Sequence, residues 1–327
     1  MADKPKLAIC WFGGCGGCDE AIVDINEDIL KVTAAFDLVL WPVALDFKYH
    51  HIEAMQDNEI LVSIINGSVR NSEHEEIAHL LRRKSQMILA FGACACFGGT
   101  PGMANLRSKE DIFQWVYRDS PTVVNPNGNF PQPVTKKNGN DLTLPEFYTQ
   151  VHPLNHVIDV DYYLPGCPPP PDRIRSMGRK LISGDMPPKG STLAPSTALC
   201  DVCERNKTKP ERMEIKEFKR IHEVEADPEK CFLAQGILCA GPATRRGCGE
   251  SCIKINIPCR GCFGPVEGVA GMGGSKYLSA IASLISAETE EGRKKIAGEL
   301  DDPAGYFYRF TTAASLLQKR REPLKKA

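Results

Sequence analysis

Short apolar runs alternate with amphipathic segments through the first half of this chain. Leu7–Phe12 (LAICWF) predicts a strand, followed by the glycine- and cysteine-rich stretch Gly13–Cys18. Asp19 reads as the N-cap of a helix that places Ala21, Ile22, Ile25, Ile29 and Leu30 on one side. Asp37–Ala44 and Glu59–Ile65 predict further strands, and Asn71–Ser85 an amphipathic helix, charged outside. Met87–Phe91 reads as a buried strand and Val157–Leu164 as the last. Repeated strand-then-helix order predicts an α/β fold with a doubly wound, flavodoxin-like parallel sheet. Residues 119–153, rich in Pro, Asn and Gly, are too long for a simple connection and read as an excursion loop at an interface. After a helix at Asp172–Ser183, Gly184–Pro195 reads as a linker, beyond which cysteines become dense and strand patterns sparse. A helix at Lys276–Ile285 follows. Two domains are expected, 1–185 and 186–327, the second smaller, irregular and cysteine-rich.

Composition narrows the function class. The 327 residues are 42% hydrophobic and 25% charged, ordinary for a globular protein. A net charge of -1 gives no pull toward nucleic acid or anionic lipid. Lys319, Arg320, Arg321, Lys325 and Lys326 form a short basic tail, read as solvated. No apolar run reaches the ~20 residues that span a bilayer, and no leader pattern is present. A cytoplasmic protein without membrane insertion is expected. The 14 cysteines are the unusual feature. In a reducing compartment, cysteines at ligand spacing point to metal rather than disulfides.

Three predicted strand ends carry cysteine: Cys15 and Cys18 after the first strand, Cys94 and Cys96 after the fourth, Cys167 after the last. In an open parallel sheet the loops at the carboxyl ends of the strands converge on one crevice. A 4Fe–4S cubane needs four thiolates. Cys15, Cys18, Cys94 and Cys167 would supply them, with Cys96 competing with Cys94, which is favoured. Glycines in GGCGGC and GACACFGG allow close backbone approach, and the prolines of PGCPPPP stiffen the third loop. Alone, Cys15-Gly-Gly-Cys18 also suits a redox dithiol or half a zinc site. Cys10, inside the first strand, reads as a small buried hydrophobe.

Eight further cysteines crowd positions 200 to 262. Sequential pairing groups Cys200, Cys203, Cys231 and Cys239, then Cys248, Cys252, Cys259 and Cys262. Eight thiolates fill two cubanes or two zinc sites, so counting does not separate these. The scarcity of β-ribbon patterns argues against zinc, and glycine beside cysteine (GCGESC, CRGC) suits amides aimed at sulfur. Three clusters in one chain make sense as a wire.

These motifs resemble the small subunit of nickel–iron hydrogenases along nearly the whole chain. WFGGCGGCDE, GACACFGG and LPGCPPPPD carry the resemblance in the first half. It implies a proximal 4Fe–4S cluster on Cys15, Cys18, Cys94 and Cys167, beside the active site of a large-subunit partner. The family usually has threonine where Cys96 stands, which supports Cys94 as ligand. Cys200, Cys203, Cys231 and Cys239 match the distal cluster, with cysteine where many relatives place histidine. Cys248, Cys259 and Cys262 match the medial cluster, and Cys252, replacing a proline of other relatives, implies a full 4Fe–4S cubane. Both departures imply a low-potential relay.

The resemblance is greatest to the cytoplasmic type that partners heterodisulfide reductase in methanogens and does not reduce the deazaflavin coenzyme. It implies electron flow from H2, split at a nickel–iron centre on the partner, to a small 2Fe–2S subunit and a flavin subunit. No residue here is catalytic in that scheme, because every C-x-x-C pair is already assigned to a cluster. Glu20 reads as an exposed first-turn glutamate favouring the helix dipole rather than a proton carrier. The alternatives are the small subunit of a deazaflavin- or nicotinamide-reducing hydrogenase, and a zinc-stabilised interaction protein. The first half also resembles the cluster subunit of respiratory complex I, which has adjacent cysteines where two glycines here separate Cys15 from Cys18. Gly271-Met272-Gly273-Gly274 reads as a turn before a helix, with no nucleotide site.

Overall fold

The computed structural model describes residues 4–266 and 273–315. The basic tail and Gly271-Met272 lie outside the described residues. The described residues form ten strands: β1 (Lys6–Trp11), β2 (Asp37–Leu40), β3 (Ile60–Asn66), β4 (Val69–Asn71), β5 (Ser85–Phe91), β6 (Val134–Lys137), β7 (Asn140–Thr143), β8 (Phe147–His152), β9 (Tyr162–Leu164) and β10 (Ser191–Thr192). Six of them make one parallel sheet in the order β10-β9-β5-β3-β1-β2. Leaving out the side pairs, this is the doubly wound order 2-1-3-4-5 with one more strand at the edge. The chain reverses direction across the sheet between β1 and β3, the place where such sheets open a crevice at their carboxyl ends.

Both faces of the sheet are covered, which is why its strands read as continuous apolar runs. One face packs Ile60, Ile65 and Ile88, together with Ile52, against Ile77 and Leu81 of the helix Ser72–Lys84. The other packs Leu7, Ile9, Val62, Ile64, Leu89 and Phe91 against Ile174, Met177 and Leu181 of the helix Pro171–Ser183. Asn71 caps the first helix by accepting from the His74 amide at 2.8 Å, with acids in the first turn and bases in the last. Buried Asp161 ties the sheet edge together: it accepts from the Ile88 amide and pairs with Arg82 and Lys189.

Several elements differ from the expectations. The first helix spans only Gly17–Val23, and its N-cap is Gly16 in the left-handed region, not Asp19. Asp19 sits inside the first turn with its side chain turned inward. Asn26, at φ 56°, breaks the run before a second helix Ile29–Ala35, and Leu30 is left 67% exposed. Pro42 ends β2 early, since it has no amide to donate, and the chain turns through Trp41–Ala44. The expected strand Val157–Leu164 shortens to β9, its first residues being taken up where the bonds of the Leu154–His156 3-10 turn run on to Ile158. Residues 119–153 contain the exposed hairpin β6–β7 and strand β8, which pairs antiparallel with β4. Within the expected linker, β10 extends the sheet beside β9.

Beyond Thr192 the described residues hold isolated bridges, short 3-10 turns and short helices. A third hydrophobic cluster forms there around Leu199, Ile215, Phe232, Ile237, Ile253 and Ile281, and it includes Cys239 and Cys259. It abuts the sheet region, where Arg173 donates to the Gly247 carbonyl at 2.8 Å.

Candidate metal centre

The carboxyl ends of β1, β5 and β9 bring four cysteines together. Cys15 and Cys167 are exposed, Cys18 and Cys94 half-buried. Burial pushes the Cys94 thiol up to about 12, with Cys167 and Cys15 adding to the rise. Burial raises Cys18 as well, followed by the fields of Cys94, Cys167 and Cys15. Cys167 is raised by burial and then by Cys15. The four thiols therefore stand within one another's fields.

The backbone is shaped to these sulfurs. Gly92, at φ 84°, would place a Cβ 2.4 Å from Cys18 Sγ, and Gly99, at φ 58°, one 2.5 Å from Cys94 Sγ. Neither position admits a side chain, so both loops close tightly over the thiols. The Ala93 amide donates to the Gly166 carbonyl at 2.6 Å, joining the Cys94 loop to the Cys167 loop. Cys96 points elsewhere: it is 3% exposed, packs in the core, and donates to the Ala90 carbonyl at 3.4 Å. Cys10 lies in the same core at 1% exposure.

Asp19 was not legible as part of this site. It is 3% exposed, and its carboxylate accepts from Trp41 Nε1 and Asn66 Nδ2, both at 2.9 Å. These partners sit at the carboxyl ends of β2 and β3. The carboxylate thus pins the Cys18 turn to two strand ends at the reversal point of the sheet. Glu20, by contrast, is exposed in the first turn.

The second region gathers two more sets. Cys200, Cys203, Cys231 and Cys239 line one small cavity together with Arg205 and Phe232. Burial raises the Cys200 thiol to about 12, with Cys203 and Cys231 adding to it. Arg205, missed in the sequence, is 7% exposed and braces this cavity. Its guanidinium stacks 4.2 Å from the Phe232 ring and donates to the carbonyls of Asp227, Lys230 and Ile253 and to Asn256 Oδ1. An arginine among lysines in a polar stretch gives no sign of this role.

Cys248, Cys252, Cys259 and Cys262 form the other set. Burial raises Cys262, followed by the fields of Cys259, Cys248, Cys167 and Cys252. Cys259 is pushed to about 11 by burial, with Cys248 and Cys252 adding to the rise. The Cys259 amide donates to Cys239 Sγ at 3.4 Å, joining this set to the Cys200 set, and Cys262 lies within the field of Cys167.

All three sets offer four thiols and no other donor, a soft set suited to iron–sulfur groups or zinc. Thiols raised by burial stay protonated until a cation displaces the proton. Among the described residues no three His, Cys, Asp or Glu side chains form a cage for a single metal ion. The Cys200 set instead surrounds a cavity.

Residues 15–181 match the family of the NADH ubiquinone oxidoreductase, 20 Kd subunit. The chain is 45% identical to the iron-sulfur subunit of the F420-non-reducing hydrogenase of Archaeoglobus profundus, over 86% of this chain and 89% of that one. It is 38% identical to the corresponding F420-non-reducing hydrogenase subunit of Methanothermobacter marburgensis, over 97% of each. In fold it is similar to a chain of the [NiFeSe]-hydrogenase of Dm. baculatum, with a TM-score of 0.50 and 15% identity over 82% of this chain and 96% of that one. A match of this extent, through both cysteine-bearing regions, means that the chain belongs to the family of F420-non-reducing hydrogenase iron-sulfur subunits, small subunits of the nickel–iron hydrogenase type.

Proposed function

We propose that the chain is the electron-transfer subunit of a cytoplasmic nickel–iron hydrogenase, holding three 4Fe–4S clusters in a row and doing no bond-making chemistry itself. Each cluster, when bound, supplies reversible one-electron storage. Cys15, Cys18, Cys94 and Cys167 hold the proximal position beside a large subunit that carries the nickel–iron site. Cys248, Cys252, Cys259 and Cys262 hold the medial position, and Cys200, Cys203, Cys231 and Cys239 the distal one. The observation that carries this reading is the order of the sets: the Cys259 amide bonded to Cys239 Sγ, and Cys262 within the field of Cys167. A zinc-stabilised binding protein has no use for three adjoining sets in series.

The remaining residues orient and exclude. Gly92 and Gly99 let backbone close over sulfur, Phe232 and Ile253 keep water from the distal thiols, and Arg205 fixes the loops that carry them. The proposal divides the chain into a sheet unit, 1–185, and a relay unit, 186–327. Electrons would leave through a small 2Fe–2S subunit toward the flavin subunit of heterodisulfide reductase. No helix among the described residues is long and apolar enough to cross a membrane, which accords with such an assembly.

Anaerobic purification with iron, sulfide and zinc analysis tests the relay. About twelve irons and about twelve inorganic sulfides per chain are expected for three cubanes. Zinc without sulfide would end the proposal. Co-purification from native extract tests the acceptor: recovery with a deazaflavin- or nicotinamide-reducing subunit would replace heterodisulfide reductase.

A further inference from the structure

At the ends of the row of thiol sets stand two buried charges without an opposite charge beside them, one at each end. Asp19 follows Cys18 directly and is met only by the neutral donors of Trp41 and Asn66. Arg205 lines the cavity of Cys200, Cys203, Cys231 and Cys239 and is met only by neutral acceptors and the Phe232 ring. Neither forms an ion pair among the described residues. A solvated surface ion is screened over about 8–10 Å at ordinary ionic strength, whereas a buried one is screened much less and acts on its neighbours at lower effective dielectric.

We infer that Asp19 and Arg205 act as a fixed electrostatic bias that directs electrons from the Cys15–Cys18–Cys94–Cys167 set toward the Cys200–Cys203–Cys231–Cys239 set. Adding an electron beside a buried carboxylate is disfavoured, so the first group is held at lower potential and made a better donor. Adding one beside a buried guanidinium is favoured, so the last group is held at higher potential and made a better acceptor. The driving force is built into the apoprotein, whatever the identity of the final acceptor. Both residues act through the groups beside them and are positioning residues. The inference rests on the relay reading above.

Its test is an EPR-monitored redox titration of the anaerobically purified holo-complex. Asp19→Asn keeps the shape and an acceptor for Trp41, with the Asn66 amide flipped to accept from the new NH2, while removing the charge, and raises the midpoint of one component only. Arg205→Met lowers the midpoint of a different component, and Arg205→Lys, which keeps the charge, leaves that component near its wild-type position. Trp41→Phe removes one donor but not the charge, and lowers the component that Asp19→Asn raises. Unmoved midpoints in Asp19→Asn, or shifts of the same sign in Asp19→Asn and Trp41→Phe, overturn the bias and show a purely structural carboxylate. If Arg205→Met fails to assemble, the Asp19 and Trp41 pair decides. A wild-type complex without iron–sulfur signals sinks the relay itself, whereas signals that do not move sink only the bias.

Discussion

The two regions of this molecule present cysteines in opposite ways. In the sheet region, Cys15 and Cys167 ride on loops and Cys18 and Cys94 on short helices at the ends of strands, and of the four only Cys18 packs against the sheet core. Phe91, Leu89 and Ile88 are fully buried just before the loop that carries Cys94. In the second region the thiols belong to the core: Cys239 and Cys259 are 8% and 7% exposed and count among its hydrophobic cluster. Few regular hydrogen bonds hold that backbone, and Arg205 joins its loops by gathering three carbonyls. The first region is a scaffold that offers a site, while the second is a site that has to serve as its own scaffold.

The sharpest way to break this contrast is metal removal. Chelation under reducing, anaerobic conditions is expected to abolish amide protection across residues 199–265 while β1, β3 and β5 keep theirs. Hydrogen exchange measures this, and equal loss in both regions would refute the contrast. A smaller but still large effect is expected from the sheet core. Phe91→Ala should cost about 3–5 kcal/mol in denaturant unfolding, because a fully buried ring leaves a cavity under the Cys94 loop. In the metal-free chain, Cys239→Ser should cost about 1–3 kcal/mol by putting a more polar hydroxyl in place of a buried thiol, whereas exposed Cys15→Ser should stay within about 0.5 kcal/mol. Equal costs would mean that the second region's thiols are not core.

The smallest expected effect is on pH dependence. His74 is stacked on Phe12 at 5.2 Å, and burial lowers its pKa from 6.5 to about 4. Between those values the unfolded chain binds the proton that the folded one refuses, so folding weakens as pH falls from about 6.5 to about 4 and levels off below. His74→Gln should flatten that slope in pH-resolved thermal melts; an unchanged slope would place the acid sensitivity elsewhere.

Much of the sheet was legible because strands buried on both faces leave unbroken apolar runs, as in Leu7–Phe12 and Met87–Phe91. Cysteine placed immediately after such runs located the first set, since strand ends converge whatever the intervening sequence. The failures have physical causes too. An acid after a glycine-rich turn looks like a helix cap, and only the backbone of Gly16 shows that Asp19 is turned inward instead. β10 was hidden because Ser191 and Thr192 carry no apolar signature, their place being set by hydrogen bonds to β9. Arg205 could not be read, because its partners are carbonyls up to 48 residues away.

The sixth strand has a mechanical consequence. The chain does not leave the sheet through a free tether: Ser191 and Thr192 are stitched to β9, and the Leu193 amide is held by the Tyr163 carbonyl at 2.7 Å. Only a few residues then separate this anchor from Cys200. The second region is riveted rather than hinged at its start, so Cys200 is reached from a fixed edge of the sheet.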